Sequence, residues 1–207
     1  MNDFFTFIVL SLFVVMSPGI DTALITKRTL SAGKSDGFKM ALGITAGALV
    51  HTFAAAFGLS AVLMQSAVAF EIVKYIGAAY LIYLGVSSFI SKGKNKEQMV
   101  ENQNETPTKG SAFKQGFFSN VLNPKVAIFF LTFLPQFVNT PSQATKQLIM
   151  MGITYTLLSI VWFVVYVIFI NYLRKWLMTP NVQNMMEKAT GIVLIGFGLN
   201  LALERQH

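Results

Sequence analysis

The 207-residue sequence contains no cysteine, which excludes disulfide bonds, thiolate chemistry and cysteine-based metal sites. Histidine is nearly absent too, because the chain has only two and one of them is the terminal His207. We therefore expect no metal centre and no cofactor. Charged residues make up only 12% of the chain, about half the usual share of a soluble domain. So little charge argues against a soluble protein.

Signals for catalysis and for nucleic-acid binding are weak as well. The metalloprotease motif His-Glu-x-x-His does not occur, and the apolar segments hold no pair of aspartates for intramembrane hydrolysis. The net charge is +7, but the basic residues are dispersed between apolar segments and do not cluster with aromatics on one face. We expect neither an enzyme nor a nucleic-acid partner.

Apolar residues, in contrast, make up 54% of the chain, and its mean hydropathy is +0.57. A chain of this size can bury that much apolar surface only in lipid, where runs of about 20 apolar residues cross as helices. The predicted spans are 4–25, 38–65, 67–90, 113–138, 147–171 and 182–203. The sequence thus predicts an all-α membrane protein with six transmembrane helices.

One hydrophilic linker, 92–112, divides this predicted transporter domain, 1–207, into repeat 1 (1–91) and repeat 2 (113–207). Twelve of the 16 basic residues flank the loops on the linker side of the membrane. Basic loops face the cytoplasm, so the linker is predicted to be cytoplasmic and both termini extracytoplasmic. Because each repeat has three spans, the two repeats are predicted to be inverted relative to each other.

A short pattern of apolar, small polar and proline residues occurs twice, about half a chain apart. The two copies are Met16-Ser17-Pro18-Gly19 and Leu122-Asn123-Pro124-Lys125. Proline cannot donate to the preceding helical turn and disfavours helix in the residue before it, so each copy predicts an interrupted helix with an open carbonyl. Transporters with inverted repeats bind their substrates at such interruptions. The alternative is a pair of kinks that only shape packing.

Three of the ionisable residues within the predicted spans are candidates for a functional site. Lys125 follows the start of its span by about 12 residues, roughly 18 Å of helix, where a lysine costs roughly 2.5 to 3.5 kcal/mol. Lys125 either binds the substrate or has a structural role, in which it binds the carbonyls that the prolines leave open. Asp21 is a candidate for binding an ammonium group or a proton, unless it is a solvated interfacial acid. His51, predicted in the same layer as Lys125, either relays protons or forms an interhelical hydrogen bond.

Other residues support packing or line the predicted site. Asn120 and Asn123 are three residues apart, so on a helix they face the same way. Gly43 and Gly47 form a small-residue face that lets another helix approach closely. Trp162 is most simply an interfacial or packing aromatic.

Several segments together resemble one family of transporters. They are Ser17-Pro18-Gly19-Ile20-Asp21, Gly43-x3-Gly47-x3-His51, the run from Gln115 to Lys125, and the run from Phe129 to Phe137. Across the whole chain they resemble the lysine exporter (LysE) superfamily and its homoserine/threonine exporter (RhtB) branch. The resemblance implies a bacterial inner-membrane permease that exports amino acids or their analogues, driven by the proton gradient. Ile20 departs from the family, which usually has a second proline there.

We therefore predict proton-driven export of neutral amino acids such as homoserine and threonine, with a passive small-solute channel as the alternative. The expected partners are the amino acid, protons and the lipid bilayer, and a homodimer is allowed for. The predicted substrate-binding residues are Ser17, Pro18, Gly19, Asp21, Asn120, Asn123, Pro124 and Lys125, and the predicted proton-coupling residues are Asp21 and His51.

In the predicted mechanism, Ser17, Gly19 and the freed backbone hold the substrate. Asp21 binds its ammonium group or a competing proton. The residues Asn120, Asn123 and Lys125 bind its carboxylate or hold the second interruption.

Overall fold

The computed structural model describes most of the chain, and the described residues form helices and no strand. The described residues are 2–17, 19–59, 67–90, 110–138, 140–177 and 179–203. The prediction of an all-α protein is confirmed for these residues. Pro18 and positions 92–109 of the predicted linker lie outside them.

The helices follow the order of the predicted spans. In the first half α1 is Asn2–Met16, α2 is Ile20–Ala32, α3 is Lys34–Ala54 with a π-helical continuation over Ala55–Leu59, and α4 is Ala67–Ile90. In the second half α5 is Ala112–Val121, α6 is Pro124–Phe133 with a 3-10 turn over Leu134–Phe137, α7 is Ala144–Ile168, α8 is Ile170–Leu177 and α9 is Pro180–Leu203. The turn between α2 and α3 is made by Gly33, whose φ of 86° is readily adopted only by glycine.

Two helix pairs are sharply bent at the predicted interruptions. The axis turns by 51° between α1 and α2 and by 52° between α5 and α6. The second bend agrees with proline chemistry, since Pro124 stands at the first position of α6, where no backbone N–H is needed. Helix α2 continues to Ala32, beyond the predicted span boundary at position 25.

Length and apolar composition identify two helices that could each cross a membrane, Lys34–Gly58 and Ala144–Ile168. Among the described residues the number rises to four if each bent pair counts as one span. The helices α4 and α9 lie at the other two predicted spans, 67–90 and 182–203. The structure is thus that of a helical membrane protein, and the number six remains a prediction.

Helix α3 packs closely against α5, and glycines make that approach possible. A Cβ atom at Gly43 would collide with the Phe113 carbonyl oxygen, and one at Gly116 would collide with that of Met40. A Cβ at Gly47 would lie 2.8 Å from the Asn120 Cβ. The predicted packing role of Gly43 and Gly47 is confirmed.

The other main contacts pair helices from opposite halves of the chain. Helix α3 also packs on α7, where Gly152 faces Thr52, and α4 packs on α9, where Gly85 faces Gly191. Two apolar clusters fill the interior. The first contains Phe7, Phe130, Phe133 and Leu148, and the second contains Ile25, Met40, Phe163 and Val167.

On the predicted cytoplasmic side, charged side chains connect the helix ends. Arg28 is only 8% exposed, and its guanidinium forms a salt bridge of 3.0 Å to Asp36 and donates a hydrogen bond of 2.7 Å to the Gly110 carbonyl. Lys34 Nζ donates to the Ile168 carbonyl at the end of α7 (2.9 Å). The Arg28 contacts tie the end of α2 to the start of α3 and to the residues before α5, and the Lys34 contact ties the start of α3 to the end of α7.

Candidate functional site

The first interruption exposes the start of α2. Gly19 precedes the helix with extended backbone (φ −164°, ψ −167°), and no side chain caps it. Asp21 lies in the first turn, where a carboxylate is stabilised by the positive end of the helix dipole. A Cβ added at Gly19 would meet only the Ser17 carbonyl oxygen, at 4.0 Å, so the described structure is open beside this glycine.

The second interruption ends α5 one residue after Asn120. The Asn123 N–H donates to the Asn120 carbonyl (3.0 Å), and the Asn123 carbonyl accepts from Ala127 N in α6 (3.1 Å). Asn123 therefore lies beyond the helix. The prediction that Asn120 and Asn123 share a helical face is wrong, because the chain leaves the helix between them.

A hydrogen bond joins the two interruptions. Asn120 Nδ2 donates to Asp21 Oδ2 over 3.1 Å, and the Asn120 side chain is 3% exposed. Asp21 is half-buried, so it is not the fully solvated interfacial acid of the alternative interpretation. Two residues 99 positions apart in sequence, each predicted for the site, are thus in direct contact.

His51 reaches the same place from α3. Its Nε2 lies 3.0 Å from the Asn120 carbonyl oxygen. A carbonyl only accepts, so the ring nitrogen must carry the proton in this bond. The imidazole thus gives the Asn120 carbonyl a second donor beside the Asn123 N–H, as the interhelical interpretation of His51 expects, while proton transfer by His51 remains a prediction. We call Asp21, His51 and Asn120 the polar junction.

Helix α7 adds residues that the sequence analysis missed. Tyr155 is buried, its side chain lies within electrostatic range of the Asp21 carboxyl, and its backbone carbonyl accepts a hydrogen bond from the Ser159 hydroxyl (2.9 Å). Tyr155 and Ser159 are four residues apart and share one face of α7. That spacing was visible in the sequence, but nothing in it indicated which helix this face meets.

Helix α9 reaches the first interruption through Thr190. Its Oγ1 donates to Ser17 Oγ over 3.4 Å. The structure therefore brings Ser17, Gly19, Asp21, Asn120 and His51 into one region. The side chains of Pro124 and Lys125 lie outside the described residues, as does Pro18 entirely, so their predicted roles remain predictions.

One motif that the sequence analysis passed over is Gly-x-Ser-x-Gly at positions 33–37. In hydrolases this motif places the serine at a sharp turn between a strand and a helix. Here it forms the turn between α2 and α3, Ser35 is exposed, and Asp36 is bonded to Arg28 and Lys39. The motif therefore lacks the structural context of a nucleophile.

Comparison with known proteins identifies the family. The family model of the LysE type translocator matches residues 12–205. The chain belongs to this translocator family. Its match covers both interruptions and the polar junction, and it confirms the family that the sequence resembles. A translocator family is also consistent with a transport protein and not with an enzyme.

Relatives of the translocator extend over the same length. The Bacillus subtilis membrane protein YrhP, described as uncharacterized, is 37% identical over 98% of this chain and 100% of its own. A protein of Salmonella typhi named homoserine/homoserine lactone efflux protein is 26% identical over 97% of this chain and 96% of its own. A Vibrio cholerae protein described as an uncharacterized membrane protein is 26% identical over 90% of each chain. No solved structure matches the translocator.

Proposed function

We propose that this translocator exports neutral amino acids, such as homoserine and threonine or their analogues, across the bacterial inner membrane in exchange for protons. The observation that carries the proposal is the hydrogen bond between Asn120 and Asp21, because it joins the two helix interruptions at a half-buried carboxylate. An interrupted helix offers backbone groups, and a carboxylate offers a counter-charge. An α-amino acid needs both.

The proposed architecture is a pair of inverted three-helix repeats around that junction. It is supported by the two bends, which have nearly equal angles of 51° and 52° and lie at matching positions of the two halves. It is also supported by the helix pairs α3 with α7 and α4 with α9, which would each be related by the proposed symmetry. Alternating access would then move one repeat against the other around the site.

Within this site Asp21 would bind the ammonium group of the substrate. Asn120 would hold the Asp21 carboxylate in place, and His51 would hold the Asn120 backbone. Ser17 and Gly19 would contact the substrate through the first interruption, where the described structure is open. Asn123, Pro124 and Lys125 would support the second interruption or the carboxylate end of the substrate.

Proton coupling follows from competition at Asp21. A bare carboxylate is costly inside a membrane, so it should cross between states only when an ammonium group or a proton neutralises it. Because both ligands use the same oxygens, they exclude each other. Inward movement of a proton would thus drive outward movement of an amino acid, with His51 as a second proton-handling group.

The name of the Salmonella typhi relative, homoserine/homoserine lactone efflux protein, supports the proposed substrate class. We further propose that both termini are extracytoplasmic and that the linker is cytoplasmic. This orientation is supported by the basic residues Arg28, Lys34 and Lys39, which gather at one end of the helices.

The test is counterflow of radiolabelled amino acids in everted vesicles with an imposed pH gradient. We expect uphill transport of at least one neutral amino acid, and its loss when the gradient is dissipated. Downhill flux that ignores the gradient would indicate the passive channel instead. Asp21→Asn and Lys125→Met should both abolish proton-driven transport, whereas Glu187→Gln, which also removes one carboxylate, should not. Normal proton-driven transport by both of the first two variants would refute the assignment.

A further inference from the structure

Several buried side-chain atoms of the described residues make no hydrogen bond to the protein, Ser11 Oγ and Gln136 Oε1 among them. Two others, on α5 and α7, have opposite hydrogen-bonding character. Asn120 Oδ1 is an acceptor, and Trp162 Nε1 is a donor. Neither atom has a hydrogen-bond partner among the described residues. Such groups are costly in an apolar interior, so each calls for a ligand or water.

The acceptor belongs to the polar junction. The Asn120 amide nitrogen already donates to Asp21, and the oxygen of the same amide, which lies near Gly47 of α3, is a second acceptor of the polar junction. Two neighbouring acceptors, one of them charged, suit the three N–H donors of an ammonium group. This part of the site is thus matched to the cationic end of a zwitterion.

The donor lies along the same face of α7 as Tyr155 and Ser159. Trp162 follows Ser159 by three residues and precedes Tyr166 by four, so these side chains form one stripe. The stripe meets α2 where Thr26 Oγ1 lies 2.6 Å from the Tyr166 hydroxyl oxygen, and one end of it, Tyr155, lies within electrostatic range of Asp21. Trp162 packs against the same apolar cluster as Leu24 of α2, so it lies beside the first turns of that helix.

The half-buried Trp162 ring packs against the apolar interior. Trp162 packs against both apolar clusters, and its ring lies 6.3 Å from that of Tyr166. Tryptophan usually finds a partner for its N–H when it is buried, because the indole is otherwise at home in an apolar core. A purely packing role would explain why the indole ring lies in the apolar interior, but not why its N–H has no hydrogen-bond partner among the described residues.

We propose that Trp162 binds the substrate, with its indole N–H donating to the carboxylate while Asp21 and Asn120 Oδ1 accept from the ammonium group. This inference rests on the proposed function and deepens it, since it fixes the orientation of the amino acid. It also predicts a preference for free amino acids over analogues without a carboxylate. A hydrogen bond to a charged acceptor is about twice as strong as one to a neutral acceptor.

The first test uses Trp162→Phe, which keeps an aromatic ring and removes the N–H. Transport of homoserine and of homoserine lactone is measured in proteoliposomes, with Trp176→Phe as the matched control. We expect the KM for homoserine to rise roughly 10- to 100-fold and that for the lactone, which has no carboxylate, by less than about 10-fold. An unchanged KM, or an equal rise for both solutes, would overturn the proposal.

The second test does not depend on transport or on the folding of Trp162→Phe. The chain has two tryptophans, so Trp176→Phe leaves Trp162 as the sole indole emitter. Titration with homoserine should change its fluorescence saturably, and the lactone should require higher concentrations. If wild-type vesicles transport no amino acid, the proposed function fails, and this titration still decides whether Trp162 contacts the solute. No saturable response would overturn the inference.

Discussion

Substitution of Gly43 by alanine tests whether the close packing of α3 on α5 holds the polar junction together. The added Cβ would collide with the Phe113 carbonyl oxygen and would lie 2.9 Å from both Phe113 C and Phe117 N. All of these are backbone atoms, so no side-chain rotation relieves the collision. Helix α5 must move away by roughly 1 Å to reach an ordinary contact of about 3.5 Å.

That movement has a thermodynamic and a functional consequence. Overpacking of this kind costs typically 1 to 3 kcal/mol, only partly offset by the higher helix propensity of alanine. For a chain of about 200 residues the thermal transition should fall by roughly 2 to 12 °C. Because the bond from His51 to the Asn120 carbonyl is 3.0 Å long, a further 1 Å would break it, and transport should fall as well.

The assay is thermal unfolding of the purified protein in detergent, followed by intrinsic tryptophan fluorescence, together with counterflow in vesicles. Gly196→Ala is the matched control, because Gly196 also lies within a helix and an added Cβ there meets no described atom within 4 Å. It should be neutral or slightly stabilising. A Gly43→Ala protein with a wild-type transition temperature and normal transport would refute the reasoning.

Further predictions concern the junction and the predicted cytoplasmic side. His51→Gln keeps an N–H donor for the Asn120 carbonyl, so we expect wild-type thermal stability but weaker proton-driven counterflow. Wild-type proton-driven counterflow in this variant would show that His51 does not take part in proton transfer. Asn120→Ala removes the donor to the Asp21 carboxylate, and we expect the KM for amino acid to rise roughly 10-fold or more; an unchanged KM would show that the bond does not hold the site. Arg28→Ala should lower the thermal transition, because it removes the contacts to Asp36 and Gly110. It should also speed thiol labelling of a Thr22→Cys probe from the cytoplasmic side, in a chain that has no other cysteine. Equal labelling rates would show that Arg28 does not restrict access to Thr22 from that side.

Local sequence rules predicted the features that depend on a few neighbouring residues. The pattern around Pro18 and Pro124 predicted two interruptions, and the helices end and restart around them. The spacing of Gly43 and Gly47 predicted a close helix contact, and α5 makes it. Each of these follows from steric properties of proline or glycine that hold in any fold.

Features that depend on long-range packing were not predictable in the same way. The sequence offered no means of telling that Asn120 would bond Asp21 or that Tyr155 would face it, because helix rotation and register are set by the assembled interior. The shared face assumed for Asn120 and Asn123 failed for a related reason. The helix period applies only while the helix continues, and α5 ends between them.

Three interhelical contacts described above end on main-chain oxygens. His51, Arg28 and Lys34 donate to the carbonyls of Asn120, Gly110 and Ile168 respectively. Every residue type has such an oxygen, so evolutionary drift at positions 110 and 168 leaves these two attachments intact, whereas the arginine and the lysine must be kept. Saturation mutagenesis should therefore find that most substitutions are tolerated at positions 110 and 168, whereas few are tolerated at Arg28 and Lys34.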